Sequence, residues 1–360
     1  MTAVLGGIHV VDGLIGHVED QADANLAVVA VPGLIDIQVN GGWGHDFTAD
    51  PSSIWEVGRH LPSTGVTTFL PTIVSAPYGV ADTAIEVLRG GPPEGYVGAE
   101  PIGLHLEGPW ISADWRGAHN PEHLRAPDLD IARRWADSGV MRMVTIAPEL
   151  DLAFEVAETF AAAGVVVSAG HSGADFATAS RALRGPWSAV THLFNQMSPF
   201  HHRAPGLVGA ALLSDRPCSV IVDGIHSDPA AVRFAWERLG PERFILITDA
   251  MQATGLGPGR YLLGDQAVDV GREGPRIWPD TLAGSTLTMD RALANLVDWT
   301  PATREQALEC ASLLPAAVVG AKDRGQVEPG RRADAVLLDD RFRVLETMVG
   351  GASTYRAKEA

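Results

Sequence analysis

Ionisable side chains follow apolar runs at several separate points of the sequence, and three of them form a metal-ligand set. Glu107, His171 and His192 offer one carboxylate and two imidazoles. This combination holds catalytic zinc while leaving one coordination position open for water, and it also suits ferrous iron. Because a bound zinc ion lowers the pKa of water to about 7, the set predicts metal-dependent hydrolysis. We expect one divalent ion per chain, with zinc favoured over iron or another divalent metal.

Two further residues have the types that hydrolysis of an amide needs. Asp249 could take a proton from the attacking water and return it to the leaving amine. His226, in Asp223-Gly224-Ile225-His226, could stabilise charge that develops on the substrate carbonyl. A helix-capping Asp249 and a structural His226 are the alternatives. Any one of these residues could be a satisfied core group, but several unpaired ionisable groups at one rim are costly without a metal or ligand.

A polar, irregular segment over residues 195–203 indicates a substrate-binding loop. Arg203 has the planar guanidinium that suits bidentate contact with phosphate. Backbone N–H groups near Asn195 and Gln196 could add donors. His119 lies in the long loop after the third apolar run, where it could contact a substrate. Solvated loop positions are the alternative for Arg203 and His119.

The elements that must position these residues alternate between short β-branched runs and stretches with helical spacing. The runs are Leu34–Val39, Val66–Pro71, Ile102–Leu106, Arg142–Ile146, Val165–Ala169, Ser188–Thr191, Ser219–Val222 and Phe244–Thr248. The helical stretches include Ile131–Ser138, Leu152–Ala163, Phe176–Leu183 and Ala230–Leu239. This alternation predicts parallel strands joined by crossover helices. Eight such units predict an α/β fold, a TIM-like (β/α)8 barrel with its working residues at the C-terminal strand ends. A doubly wound open sheet is the alternative.

The two ends of the chain have short apolar runs separated by turn residues instead. We expect residues 1–32 and 326–360 to pair into one small β-sandwich domain beside a catalytic barrel of residues 33–325. Helices over Met289–Leu296 and Glu305–Leu314 would complete the barrel before the chain returns.

Composition excludes several classes of function. The chain has 360 residues and a formal net charge of −17, and so acidic a protein is a poor nucleic-acid binder because phosphate contacts need clustered Lys and Arg. No apolar run approaches the length of about 18 residues that a membrane span needs, and the N-terminus lacks a signal-peptide pattern. Cys218 and Cys310 are too few for a disulfide framework. We expect a cytoplasmic protein whose partner is a small molecule.

Longer motifs resemble the N-acetylglucosamine-6-phosphate deacetylase family of the amidohydrolases. They are Pro32-Gly33-Leu34-Ile35-Asp36, Gly103-Leu104-His105-Leu106-Glu107-Gly108-Pro109-Trp110, Gly170-His171-Ser172, Thr191-His192-Leu193-Phe194-Asn195-Gln196-Met197, Arg203-Ala204-Pro205-Gly206, Asp223-Gly224-Ile225-His226, Thr248-Asp249-Ala250-Met251, Gly284-Ser285-Thr286-Leu287-Thr288-Met289 and Gly330-Arg331-Arg332-Ala333-Asp334. The resemblance extends over nearly the whole chain from residue 32 onward.

The resemblance implies a role for each candidate residue. The implied roles are metal ligation by Glu107, His171 and His192, acid–base catalysis by Asp249, contact with the substrate carbonyl by His226, and contact with the sugar or phosphate by His119, Asn195, Gln196 and Arg203. Members of the family bind one or two divalent metals and are usually dimers, so a homodimer is expected here.

The number of metal ions follows from the first strand. Two-metal barrel amidohydrolases carry a His-x-His on that strand and a carbamylated lysine on the fourth. This chain has Gln38 and Asn40 instead, and its only lysines, Lys322 and Lys358, lie near the C-terminus. The chain therefore resembles the one-metal branch, and we expect both amides to hydrogen-bond behind the metal ligands rather than to bind a second ion.

Two features depart from the family pattern. The segment before Pro32 is shorter than in familiar members, so the small domain could lack strands. Gln196 stands where a small residue is common, and its side chain could alter contacts near the phosphate. Neither feature touches the metal ligands.

The expected activity is hydrolysis of the acetamide of N-acetyl-D-glucosamine 6-phosphate in amino sugar catabolism. The galactosamine epimer is the nearest alternative, because the sequence does not reveal stereochemistry at C4. Another amidohydrolase, acting on a cyclic imide or an N-acyl amino acid, would show no dependence on phosphate. A non-catalytic sugar-phosphate sensor would have no need of Asp249 beside a complete ligand set.

Overall fold

The computed structural model describes residues 2–5, 7–18 and 28–358, and its centre is a barrel of parallel strands. We number the barrel strands β1 to β8, and they are Leu34–Val39, Val66–Ile73, Leu104–Glu107, Met141–Ile146, Val166–Ala169, Trp187–Val190, Cys218–Ile221 and Phe244–Ile247. Each strand pairs in parallel with the next along the chain. A short additional strand, Glu100–Pro101, pairs with β2 beside this path.

The barrel closes between its first and last strands. Val39 and Ala250 form a parallel bridge. The N–H of Asp249 donates to the carbonyl of Gln38 at 3.0 Å, and the N–H of Asn40 donates to the carbonyl of Ala250 at 2.7 Å. The predicted (β/α)8 barrel is therefore confirmed, and its closure excludes the doubly wound open sheet.

Helices surround the barrel, and several of them begin at side chains that accept hydrogen bonds from their first turns. We number them α1 to α10, and they are Ile54–His60, Tyr78–Gly90, Leu129–Ala136, Ala153–Ala162, Phe176–Arg184, Gly206–Leu213, Pro229–Leu239, Met289–Trp299, Arg304–Cys310 and Leu313–Val318. Asp128, Asp175 and Asp228 cap α3, α5 and α7, and such caps contribute about 1 kcal/mol each. Within the described ranges, no helix has both the length and the apolar character needed to cross a bilayer.

The helix expected over Glu305–Leu314 is wrong, because the chain forms α9 and α10 with a break at Ala311 and Ser312. A continuous helix would place the ring of Pro315 against the carbonyl of Ala311. That carbonyl accepts a hydrogen bond from the N–H of Ile35 in β1 at 2.7 Å instead. The break thus ties the last helices to the first barrel strand.

Antiparallel sheets at both ends of the chain form the expected sandwich. One sheet contains Thr2–Leu5, Ile8–Val11 and Leu14–Val18, and the other contains Val28–Pro32, Ala335–Asp339, Val344–Val349 and Ala352–Arg356. Buried Ile8, Val10 and Ile15 cluster with Ala335 and Met348 across the two sheets. Residues 1, 6, 19–27 and 359–360 of the predicted small domain lie outside the described residues, and the boundaries at residues 32 and 326 stay a prediction.

A third antiparallel sheet, which the sequence did not predict, is inserted between β8 and α8. This insert sheet consists of Gly259–Leu263, Gln266–Gly271, Gly274–Ile277 and Thr281–Leu282. Its buried Leu263 and Val268 pack against Val74 and Met251, which follow β2 and β8. The insert sheet therefore sits over the C-terminal end of the barrel. A short hairpin, Gly41–Gly42 with His45–Asp46, follows β1 at the same end.

Candidate active site

A cavity of about 300 Å³ opens at the C-terminal ends of the barrel strands. The predicted residues that line it are Asn40, Glu107, His119, His171, His192, Asn195, Gln196, His226 and Asp249. The structure therefore brings together side chains that are up to about 200 positions apart in the sequence, as the barrel topology predicts.

The backbone directs three of these side chains by adopting an unusual conformation. His171, His192 and Asp249 have φ values of 48°, 31° and 52°. Residues other than glycine seldom occupy this left-handed region, which costs on the order of 1–3 kcal/mol each. Each residue follows a barrel strand after one intervening residue, so the strained turn leaves its side chain at the rim, within the cavity.

Glu107, His171 and His192 meet at one point. The Nε2 atom of His171 lies 3.1 Å from Oε1 of Glu107 and 3.0 Å from Nε2 of His192, and Nε2 of His192 lies 2.9 Å from the same Oε1. All three side chains are buried. Burial acts to raise the pKa of Glu107, but its interactions with His171 and His192 outweigh burial and hold the pKa well below its ordinary value.

The donor set fits a divalent cation. Nδ1 of His171 lies 2.9 Å from the carbonyl oxygen of Trp115. Because a carbonyl only accepts, Nδ1 carries the proton and Nε2 keeps a lone pair. That lone pair faces Oε1 of Glu107 and Nε2 of His192. A proton on Nε2 of His192 can bridge only one of the three short contacts among these atoms. A divalent cation would satisfy all three at once, as two imidazoles and a carboxylate do at catalytic zinc sites.

His119 joins this cluster as a hydrogen-bond donor rather than as a ligand. Ligand atoms of Glu107, His119 and His171 lie within 4.8 Å of one another. However, the backbone N–H of Ser75 donates to Nδ1 of His119 at 3.1 Å, so Nδ1 is an acceptor and the neutral ring has its proton on Nε2. Burial lowers the pKa of His119 to about 3 and keeps the ring neutral.

Asp249 lies beside the cluster and is held by two amides. Nδ2 of Asn40 and Nε2 of Gln38 donate to Oδ1 of Asp249 at 2.7 and 3.2 Å, and the same Gln38 nitrogen donates to Oε1 of Glu107 at 2.9 Å. Both hydrogen bonds go to Oδ1, which leaves Oδ2 for proton transfer. Burial, followed by the charge of Glu107, raises the pKa of Asp249 to about 7, close to where a general base works best.

Gln38 and Asn40 thus point their amide nitrogens at carboxylates. An N–H group has no lone pair for a metal. The amide oxygens of both residues are buried without a hydrogen-bond partner in the described part of the chain. Buried polar atoms without partners mark places where a ligand or water completes the site.

His226 has its ring proton on the opposite nitrogen to His119. Its Nδ1 lies 2.7 Å from Oδ2 of Asp223, and the backbone N–H groups of Ile225 and His226 donate to Oδ1 of the same carboxylate. Because a carboxylate accepts, Nδ1 carries the proton and Nε2 of the neutral ring is an acceptor. An acceptor at this position suits a sugar hydroxyl.

The predicted substrate loop divides between the cavity and the surface. Asn195 and Gln196 line the cavity, and the side chain of Gln196 lies so close to Gly117 that a Cβ there would come within 2.8 Å of its Cγ. Arg203 is exposed and lies outside the cavity of its own chain, with Nη1 2.9 Å from Nε2 of His202.

The insert sheet adds residues that the sequence analysis missed. Arg276, Asp280, Thr281 and Leu282 line the cavity. The missed signal was an alternation of exposed and apolar residues on both sides of Gly264-Asp265, which is typical of a hairpin. Exposed Asp265 in this turn accepts hydrogen bonds from Asn120 and His123, at 2.9 and 2.8 Å.

Comparison with known proteins places these features in a family. The sequence profile described as the amidohydrolase family matches residues 29–354. The N-acetylglucosamine-6-phosphate deacetylase of Bos taurus is 41% identical over 362 residues, which cover 95% of this chain and 87% of that protein.

Solved structures of N-acetylglucosamine-6-phosphate deacetylases have the same fold as this chain. The N-acetylglucosamine-6-phosphate deacetylase of Thermotoga maritima superposes with a TM-score of 0.90 at 32% identity, covering 97% of this chain and 95% of that one. An Asp-to-Ala variant of the Mycobacterium smegmatis deacetylase, solved in complex with N-acetyl-D-glucosamine-6-phosphate, gives 0.88 at 33% identity, covering 96% and 94%.

Proposed function

Since the chain belongs to the amidohydrolase family and, within it, to the N-acetylglucosamine-6-phosphate deacetylases, we propose that it hydrolyses the acetamide of N-acetyl-D-glucosamine 6-phosphate. The products are glucosamine 6-phosphate and acetate, in the breakdown of amino sugars. The observation that carries this proposal is the meeting of Glu107, His171 and His192 beside Asp249 in one cavity.

Glu107, His171 and His192 hold one divalent ion in this proposal, with zinc favoured over ferrous iron because zinc accepts this nitrogen and oxygen set readily. When bound, the ion supplies hydroxide at neutral pH and polarises the amide carbonyl. A single ion is favoured because Gln38 and Asn40 turn amide N–H groups, not lone pairs, towards the carboxylates.

Asp249 moves the proton. Its carboxylate accepts a proton from the attacking water while the C–O bond forms, and it then donates that proton to the amide nitrogen as the C–N bond breaks. The amine leaves in neutral form together with acetic acid, which becomes acetate by releasing the second proton of the water to solvent. The amides of Gln38 and Asn40 fix Oδ1, so Oδ2 is oriented for both transfers.

His119 is the donor that we propose for the carbonyl oxygen of the substrate. Its Nε2 proton is fixed by the hydrogen bond from Ser75 to Nδ1, and a preorganised donor of this kind stabilises negative charge as it develops. The sequence-based prediction gave this role to His226. That assignment stays a prediction, and the acceptor character of Nε2 in neutral His226 favours contact with a sugar hydroxyl instead.

Arg203 is the phosphate contact that we propose for a homodimer. Asn195 and Gln196 reach the sugar phosphate within one chain, but Arg203 lies outside the cavity of its own chain. The loop over residues 201–204 is exposed, and Phe200 beside it is 58% exposed. We therefore propose that this loop of one chain reaches the cavity of a second copy.

A cytoplasmic location is part of the same proposal. Cys218 and Cys310 are both buried and free, and burial raises the pKa of the Cys218 thiol to about 12. Unpaired buried thiols are usual in a reducing compartment.

Acetate release from purified, zinc-loaded protein tests the proposed function. We expect turnover of N-acetylglucosamine 6-phosphate, slower turnover of its galactosamine epimer, and very weak turnover of the unphosphorylated sugar. Failure to release acetate from either sugar phosphate, or faster cleavage of an N-acyl amino acid, would contradict the proposal.

A further inference from the structure

The insert sheet carries a cationic side chain that the family resemblance did not suggest. Arg276 lies in the strand Gly274–Ile277 and lines the cavity. Of the described residues that line this cavity, Arg276 is the only arginine or lysine. The other formally charged groups there are the carboxylates of Glu107, Asp249 and Asp280, in a chain with a net charge of −17.

An anionic substrate needs a local cation in such a cavity. A phosphate monoester carries a charge of about −1.5 to −2 at pH 7. The carboxylates repel it, and the overall field of an acidic protein does not attract it. A guanidinium is the side chain best suited to a phosphate, because its planar fork donates two parallel hydrogen bonds.

Arg276 has a free edge for this contact. Its Nη1 donates to the carbonyl oxygen and to Oδ1 of Asp280, at 3.2 and 2.6 Å. The opposite edge consists of Nε and Nη2, and Nε has no hydrogen-bond partner among the described residues although it is buried. An unsatisfied buried donor costs about 1–3 kcal/mol. Contact with a bound anion would therefore relieve this group.

The pair with Asp280 does not hold Arg276 strongly. The side chain of Asp280 is 80% exposed, compared with 29% for Arg276. Exposed ion pairs contribute only about 0–1 kcal/mol. The ion pair with Asp280 therefore offers little resistance when a more highly charged phosphate binds at the opposite edge.

The backbone of Arg276 is connected to the segment that carries the general base. Arg276 pairs with Leu282 in the insert sheet, and the N–H of Ser285, three residues further on, donates to the carbonyl of Asp249 at 2.7 Å. A substrate group held by Arg276 is thus positioned relative to Asp249 through a short, hydrogen-bonded path.

We infer that Arg276 binds the anionic group of the substrate within its own chain and so determines the preference for a 6-phosphorylated sugar. The inference rests on the proposed function and names a recognition residue for it. It does not depend on Arg203, which lies outside this cavity.

The test compares Arg276→Ala with Arg272→Ala, which removes an equal charge from an exposed position of the same insert sheet. For each zinc-loaded protein, kcat/KM is measured with N-acetylglucosamine 6-phosphate and with N-acetylglucosamine. The dissociation constants of glucosamine 6-phosphate and glucosamine are measured by titration calorimetry. Melting temperatures confirm that each variant is folded.

For the phosphorylated sugars, we expect Arg276→Ala to lower kcat/KM and to raise the dissociation constant, each by about 10- to 100-fold. This is the range for loss of a hydrogen bond to a charged group. The unphosphorylated sugars should be unaffected, and Arg272→Ala should match the wild type. Asp280→Asn should bind glucosamine 6-phosphate as tightly as the wild type or more tightly, because it frees the guanidinium.

Different results would contradict the proposed function and the role of Arg276. The proposed function fails when the wild-type enzyme releases no acetate from N-acetylglucosamine 6-phosphate. The role of Arg276 is overturned when the wild type shows no phosphate preference in binding, or when Arg276→Ala keeps that preference in full. An equal loss for phosphorylated and unphosphorylated sugars also overturns it.

Discussion

His119→Ala should lower kcat far more than it raises KM. The neutral imidazole of His119 is buried, only 5% exposed, and its Nε2 proton is fixed by the hydrogen bond from the N–H of Ser75. We propose that this proton meets the carbonyl oxygen as it becomes negative. Such an interaction is stronger in the transition state than in the bound substrate, so its loss appears in kcat.

The size of the loss follows from the kind of donor removed. Removal of one preorganised donor to a developing oxyanion costs about 10²- to 10³-fold in kcat, which is about 2.7–4.1 kcal/mol at 1.36 kcal/mol per tenfold. Because burial lowers the pKa of His119 to about 3, the ring stays neutral above that pH and keeps its proton on Nε2. The ratio of wild-type to variant kcat should therefore stay constant between about pH 5 and pH 8.

Ser75→Ala provides the matched control. It removes the hydroxyl that lies 2.8 Å from Nδ1 of His119 but keeps the backbone N–H that fixes the tautomer. We expect a loss below about tenfold, the range for one neutral hydrogen bond. The assay is steady-state release of acetate, with zinc content measured for each variant. A larger kcat loss in His226→Ala than in His119→Ala would refute the assignment of the carbonyl donor to His119.

Three further outcomes are expected. Asp249→Asn keeps an oxygen for Gln38 and Asn40 but cannot accept a proton, so kcat should fall by about 10²- to 10⁴-fold with unchanged zinc content; near-normal turnover would remove the base role. Because Asp249 must be ionised to act as base, kcat/KM should fall as pH decreases through its pKa. Burial and then the charge of Glu107 raise that pKa to about 7, and bound zinc offsets the charge of Glu107, which lowers the pKa again. A fall of kcat/KM that is centred above pH 7 in the zinc-loaded enzyme would contradict the assignment of Asp249 as the base. Arg203→Ala should turn over the sugar phosphate weakly, and mixing its chains with Asp249→Asn chains should raise the activity in mixed dimers above that of either variant; no such gain would exclude Arg203 acting across the interface.

The barrel was predictable because its strands are buried on both faces. All six residues of β1 and all eight of β2 are buried, and strands of this kind are rich in apolar and β-branched residues that stand out in a sequence. The strand ends were less certain, since β2 continues through Thr72 to Ile73. Hydrogen bonds, not hydropathy, decide where a strand stops.

The insert sheet was not predictable with the same rule. Its strands are largely exposed, as in Gly259–Leu263, where only Leu263 is buried. The sequence of a strand with one solvent-exposed face resembles that of a loop unless the flanking turns are recognised. This omission hid Arg276, whose position in the cavity depends on the pairing with Leu282.

The candidate ligands were predictable from position, but the proton positions were not. Glu107 is the last residue of its barrel strand and His192 follows its strand after one intervening residue, so the topology alone brings them to one rim. Which nitrogen of His119 carries the proton depends on Ser75, 44 residues away. Only the folded chain shows that contact, and it decides between a metal ligand and a hydrogen-bond donor.

The metal content of purified protein, measured by mass spectrometry together with acetate release, tests most directly whether Glu107, His171 and His192 form a catalytic metal centre. We expect one divalent ion per chain, and we expect His171→Ala and His192→Ala to lose both the ion and turnover while staying folded. Full activity in protein that contains no metal, or a full complement of metal in both variants, would contradict this account.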